Sequence, residues 1–167
     1  MHVAELWRYP VKSLAGERLE HAEIRQDGVV GDRLVRCTTR AGTWSPRGST
    51  RICSAIAARS GPDGEPRIDG WPWSSTEAAG LIAQAVGWKA RLERFTGEER
   101  FDILPLLVAT DGAIAALGVD GRRLRPNIVV RWGGRAGGAR VAGPAPPDRR
   151  GGDRHRPAPG ALRDDHV

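Results

Sequence analysis

"VAELWRYPVKSLAGERLEHAEIRQDGVVGDRLVRCTT" (Val3–Thr39) decides the fold, because it can bury its apolar residues only as short strands. Val3–Tyr9 alternates apolar and polar side chains, as a half-buried strand does. Arg18–Arg25 alternates around Leu19, Ala22 and Ile24, and Arg33–Thr39 carries Leu34, Val35, Cys37 and Thr38. Gly28 and Gly31 mark the turn between the last two, and Arg40-Ala41-Gly42 closes the third. Strands this short predict a small barrel or sandwich whose edges must be closed or covered.

Beyond Thr39 the pattern admits helices. Ile52, Ala55, Ile56 and Arg59 predict a short helical face ending at Gly61. Ser74 followed by Glu77 has capping-box spacing before the apolar "AAGLIAQAVGW" (78–88). Between them "GPDGEPRIDGWPW" (61–73) reads as a turn-rich linker and a boundary between subdomains. Lys89–Phe95 and Ile103–Ala109 read as strands, the second one buried. Thr110-Asp111 caps a short helix ending at Gly118. Arg123–Arg131 reads as a last strand, with Pro126 confined to an edge or bulge. From Gly133 to Val167, Gly, Pro, Arg and Ala make up 26 of 35 residues, and Ile, Phe, Trp, Tyr, Lys and Glu are missing. Such a segment is expected to be disordered, since it offers too little apolar surface to offset the entropy of ordering. The fold class expected is therefore mainly β with short helices (α+β).

Composition narrows the function classes. The 167 residues suffice for one domain with a core, or for two small barrels sharing one. No apolar run is long enough to span a bilayer, and the alternating N-terminus offers no signal core. Cys37 and Cys53 show neither metal-ligand spacing nor a disulfide framework, and read as reduced residues of a cytoplasmic protein. The net charge is +6, but 133–167 holds seven Arg and four Asp, half of that excess. A basic patch divided in this way is a poor footprint for nucleic acid.

Polar groups gather at four turns. "YPVKSLAGE" (9–17) puts Lys12 and Ser13 beyond a strand end, and "GVVGDR" (28–33) places Asp32 and Arg33 after a glycine. "LLVATDG" (106–112) ends on Thr110 and Asp111 at a helix N-terminus, and "RRLRPNIVV" (122–130) offers Arg122, Arg123, Arg125 and Asn127. If these strand ends converge they form a cationic pocket suited to a phosphate or other anionic cofactor. Each residue also has a plainer reading: Lys12 as a solvated rim lysine, Arg33 as half of a turn-stabilising ion pair. Thr110 and Asp111 read as caps, and Asn127 as a turn residue after Pro126. Arg125 stands among apolar neighbours in the expected strand. The four histidines form no triad with Ser or Cys, so no catalytic residue is assigned.

Together these elements resemble a known family. "YPVKSLAGE" with "GVVGDR" is similar to the N-terminal β-barrel domain of MOSC proteins, and "LLVATDGAIAALGVDGRRLRPNIVV" (106–130) resembles the first part of the MOSC domain itself. The resemblance covers roughly 3–131 and implies three parts: 1–70 as the N-terminal barrel, 71–132 as an incomplete MOSC β-barrel, and 133–167 as the tail. It implies a molybdenum cofactor (molybdopterin) between barrel and core. Lys12, Ser13 and Arg33 match residues that hold the cofactor's phosphate and pterin, Thr110 and Asp111 a polar pair beside it, and Arg125 and Asn127 the family's Arg-Pro-Asn contacts. Ala113 stands where members often carry a serine. The implied activity is an oxidoreductase acting on N-hydroxylated or N-oxygenated small molecules, with a flavin or iron-sulfur partner delivering electrons. The alternatives are a sulfur-carrier or cofactor-binding module, and a basic non-catalytic binding protein. Molybdenum ion binding and pyridoxal phosphate binding are family-level associations.

The family's cysteine near the C-terminus, a soft molybdenum ligand, has no counterpart here, because no cysteine follows Cys53. Reading "ALRDDHV" (161–167) one nucleotide later permits Arg-Cys-Val-Met-Thr-Thr, which resembles the missing motif, and shifting "DRHRP" (153–157) permits an alternating strand. Two explanations stand: a frameshift shortly after Val130, or a chain that diverged and lost the site.

Overall fold

The computed structural model describes residues 1–38, 55–87, 91–95, 97, 101, 103–133 and 140–142. The alternation at the N-terminus forms β1 (His2–Arg8), which turns Leu6 into the core. It is followed by β2 (Glu17–Leu19), β3 (His21–Arg25), β4 (Gly28–Val29) and β5 (Val35–Thr38). Next come β6 (Ala58–Ser60), β7 (Pro66–Ile68), β8 (Trp71–Pro72), α1 (Thr76–Val86) and β9 (Arg91–Arg94). The remainder is β10 (Val108–Thr110), α2 (Asp111–Leu117), α3 (Gly121–Leu124), β11 (Ile128–Arg131) and β12 (Arg140–Ala142). The architecture is mainly β with short helices, as the patterning predicts. No helix among the described residues is long and apolar enough to cross a membrane.

The strands form four sheets, ordered β10-β11-β1-β2, β12-β3-β4, β5-β9 and β6-β7-β8. Among the described residues none of them closes into a barrel. In the largest sheet β1 pairs antiparallel with β11, with Leu6 opposite Ile128, and β11 pairs parallel with β10. Strands from both sides of residue 70 thus share one sheet. Two apolar clusters fill the interior. Val11, Leu14, Val35, Cys37, Ala58, Ile68, Ala78 and Ile82 form the larger; Leu6, Ala22, Val29 and Ile128 form the other. Gly28, with φ +97°, sits where any Cβ would collide with the carbonyl oxygen of Pro105, so the β3–β4 turn requires glycine.

Several local expectations are overturned by tertiary pairing. Ala58–Ser60, read as the end of a helix, is a strand, because Ala58 stands opposite Ile68 of β7 and both are fully buried; residues 52–54 lie outside the described set. The supposed linker contributes Pro66 and Ile68 to the core. Helix α1 is capped by Ser75, not Ser74: its Oγ accepts from the Ala78 amide at 3.1 Å. The single strand expected over 18–25 is divided into β2, which pairs with β1, and β3, which pairs with β4. Ile103–Ala109 is not a buried strand: only Val108 onward is extended, at the edge of its sheet among the described strands, and Ile103 and Leu104 are 90% and 69% exposed. Arg123 and Leu124 belong to α3, since Asp120 caps that turn by accepting from the Arg122 amide; the strand starts only at Ile128. Arg125 therefore stands in the left-handed helical region between helix and strand, not within a strand. Within the segment 133–167, Arg140–Ala142 pairs in parallel with His21–Glu23, which leaves the expectation for the rest of that segment standing. Residues 134–139 and 143–167 lie outside the described set.

Candidate functional site

Pro10 ends the β1 ladder, and the chain then runs beside residues 32–35. The Tyr9 amide donates to Asp32 Oδ1 at 2.7 Å, the Arg33 amide to the Tyr9 carbonyl at 2.8 Å, and the Lys12 amide to the Val35 carbonyl at 2.7 Å. Asp32, buried, also accepts from the Arg33 guanidinium, so the "GDR" turn clamps the "YPVKS" turn through one carboxylate. The Leu14 amide closes back on the Val11 carbonyl at 3.3 Å, and Ser13 takes φ +75° at the apex. Lys12 and Ser13 are thereby held, half-buried, on a tight turn.

The "RPN" segment arrives from the other end of the chain. Arg125 donates from its guanidinium to the carbonyls of Leu14 and Val11, the latter at 3.5 Å, bracketing the Lys12–Ser13 turn. Asn127 is fully buried. Its Oδ1 accepts from the Leu107 amide at 3.2 Å and from Arg33 at 3.5 Å, while its Nδ2 donates to the Trp7 carbonyl at 3.4 Å. Both lone pairs of the amide oxygen and one of the two amide hydrogens are thus spent on holding neighbours in place.

Tyr9 stands between these segments. The guanidinium carbons of Arg125 and Arg33 lie 4.2 and 5.4 Å from its ring centroid, within cation–π range. Its hydroxyl donates to the Pro126 carbonyl at 3.2 Å. Burial pushes the phenol up to about 12, although Arg125 and Arg33 pull it down, so Tyr9 stays neutral and remains a donor. The charges acting on the Tyr9 phenol are those of Arg125 and Arg33, which pull its pKa down, and of Asp32 and Glu5, which push it up, while Lys12 stands on the adjoining turn. Among the described residues the non-glycine residues with positive φ are Ser13, Arg33, Asp69 and Arg125. Three of these belong to this cluster. Such backbone costs about 1–2 kcal/mol per residue and persists only where surrounding contacts enforce it, which is why it concentrates at functional sites.

Thr110 and Asp111 do not join the cluster. Thr110 caps α2 by accepting from the Ala113 amide at 3.1 Å, and Asp111 pairs with Arg131 at 3.1 Å. Thr110 stands beside Val130, three residues along β10 from the Leu107–Asn127 contact, or about 10 Å of strand. Thr110 and Asp111 thus lie about one β10 length from the residues gathered at Tyr9. Tyr9 and Pro126 were not singled out by the sequence reading; their only signal was adjacency to "PVKS" and "RPN". A separate cleft of about 430 Å³ lies along β6 and β7, lined by residues including Arg59, Ser60 and Arg67, and shares no residue with the cluster.

Residues 1–62 match the family model of the MOSC N-terminal beta barrel domain. No curated protein and no solved structure matches the chain. The matched segment contains Tyr9, Lys12, Ser13, Asp32 and Arg33, whereas Arg125 and Asn127 lie beyond it. Its residues 39–54, Cys53 among them, lie outside the described set. Cys37 is buried in the larger core cluster. Among the described residues no group of three or more His, Cys, Asp or Glu could hold a metal ion.

Proposed function

We propose that this chain is a MOSC-family module that binds the phosphate-bearing pterin of a molybdenum cofactor at the Lys12–Ser13 turn and Arg33. The observation that carries this reading is the convergence of "YPVKS", "GDR" and "RPN" around Tyr9, which gathers two guanidinium groups and three strained backbone positions beside the Lys12–Ser13 turn. Lys12 and Arg33 supply charge-assisted contacts to phosphate oxygens, and Ser13 a hydroxyl donor. Arg125 and Asn127 complete the surround. Thr110 and Asp111, at the far end of β10, are left out of it.

The donor set fits the anionic end of such a cofactor and not its metal. When bound, the metal would supply redox and oxygen-transfer chemistry, which needs a soft thiolate ligand. Cys37 is committed to the apolar core, and Cys53 precedes the segment where the family resemblance calls for a cysteine. No redox step is derived for this chain. Reduction of N-hydroxylated or N-oxygenated small molecules, with a flavin or iron-sulfur donor, belongs to relatives that carry the thiolate.

The test is to purify the full chain from cells that make molybdopterin, oxidise any bound pterin to its fluorescent form, and titrate the chain with inorganic phosphate. Retained pterin and a saturable phosphate response, weakened about tenfold in Lys12→Ala, support the reading. Neither pterin nor a phosphate response in the parent chain overturns it.

A further inference from the structure

We infer that Tyr9 is a positioning residue for the anion site: its ring fixes the Arg125 guanidinium that braces the Lys12–Ser13 turn, and its hydroxyl fixes the chain at Pro126. The inference rests on the cofactor-binding reading above and assigns the site a residue that makes no ligand contact itself.

The geometry is specific to this tyrosine. Arg125 brackets the turn only because its guanidinium reaches the Val11 and Leu14 carbonyls, and that guanidinium lies 4.2 Å from the Tyr9 ring centroid. The hydroxyl bond to the Pro126 carbonyl, 3.2 Å long, holds the Pro126–Asn127 peptide unit, one residue beyond Arg125. The Pro126 carbonyl precedes the β11 ladder, and it takes its donor from the Tyr9 side chain. The ring is itself boxed in. Trp7 stacks on it at 6.4 Å with an interplanar angle of 17°, and a Cβ at residue 16 would strike both the ring and the Arg8 carbonyl oxygen. The backbone of Tyr9 meanwhile holds Asp32 and Arg33. One residue therefore sets the separation of two guanidinium groups and the turn between them. A leucine would fill part of the volume but present no π-face, leaving Arg125 free to leave the two carbonyls.

The experiment uses the full chain with Tyr9→Phe, Tyr9→Leu, Arg125→Gln and the Tyr9→Leu/Arg125→Gln pair. Nitrogen-edited NMR should show the Arg125 side-chain N–H shifted upfield by the ring and protected from exchange in the parent and in Tyr9→Phe, and neither in Tyr9→Leu. In titration with inorganic phosphate, Tyr9→Leu should weaken binding about tenfold, and Tyr9→Phe no more than about threefold. Tyr9→Leu should add less than about twofold when Arg125 is already glutamine. An Arg125 resonance that ignores Tyr9→Leu, or an equal loss in both backgrounds, overturns the positioning role. If Tyr9→Leu does not fold, the parent decides alone, since an Arg125 N–H without upfield shift or protection refutes the inference. An upfield, protected Arg125 N–H in a chain that ignores phosphate would sink the cofactor-binding reading while leaving the positioning intact.

Discussion

Asp32 is the residue whose removal the fold should tolerate least. Its carboxylate is buried, accepts from the Tyr9 amide at 2.7 Å through one oxygen and from the Arg33 guanidinium through the other. Asp32→Ala leaves a buried amide without an acceptor, at about 1–3 kcal/mol. It also leaves Arg33, whose side chain is 12% exposed, without its counter-charge. Breaking a buried pair from one side costs about 3–5 kcal/mol, and because the two losses overlap we expect about 4 kcal/mol in total. Asp32→Asn keeps an oxygen for Tyr9 and loses only the charge, so it should cost roughly half as much. Urea unfolding at constant pH, followed by tryptophan fluorescence, reads both. Two outcomes would refute the reasoning: both variants within about 1 kcal/mol of the parent, or Asn as costly as Ala. The first would mean that the pair is not buried in solution, and the second that charge matters and the Tyr9 bond does not.

Three further outcomes are expected. Ser75→Ala should cost about 1 kcal/mol by urea unfolding and Ser74→Ala less than about 0.5, because only Ser75 caps α1; the reverse order would restore the capping box. Tyr9 is more acidic unfolded than folded, so the folded chain holds its proton longer; stability should fall by about 2 kcal/mol as pH rises from about 10 to 12. Tyr9→Phe should lack that component, and parallel pH curves for the two chains would contradict the buried phenol. Val108 is 51% exposed on the β10 edge, flanked by Leu104 and Leu107, and unprotected apolar edges recruit further strands. The parent should therefore associate as its concentration rises in sedimentation velocity, and Val108→Lys should suppress this; a monomeric parent would refute it.

Local chemistry was legible where it needed no distant partner. The strands around Leu6, Ala22 and Cys37 follow from alternation, and α2 from Thr110 before it and Gly118 after it. The reading failed where a distant segment decided the local state. Ala58–Ser60 had helical spacing, yet Ile68 across the ladder made it a strand. Ile103 and Leu104 are as apolar as core residues, but apolarity does not supply a surface to pack against, and both are exposed. Arg125 reads as a strand residue because the capping of α3 by Asp120 and the left-handed turn before Pro126 share their composition with a strand start.

The candidate site divides in the same way. Which residue types could meet an anion was set by the sequence alone: lysine and serine after a strand end, arginine after Gly-Asp, arginine and asparagine around a proline. Which of them do meet was decided by tertiary structure. The pairing of β1 with β11 brings Asn127 beside Trp7 and Arg125 beneath the Lys12–Ser13 turn, and the length of β10 carries Thr110 and Asp111 away. Tyr9 shows the reason most plainly. Its ring meets guanidinium groups 24 and 116 residues along the chain (33 − 9 and 125 − 9), and a contact of that kind is a property of the folded sheet, not of any window of sequence.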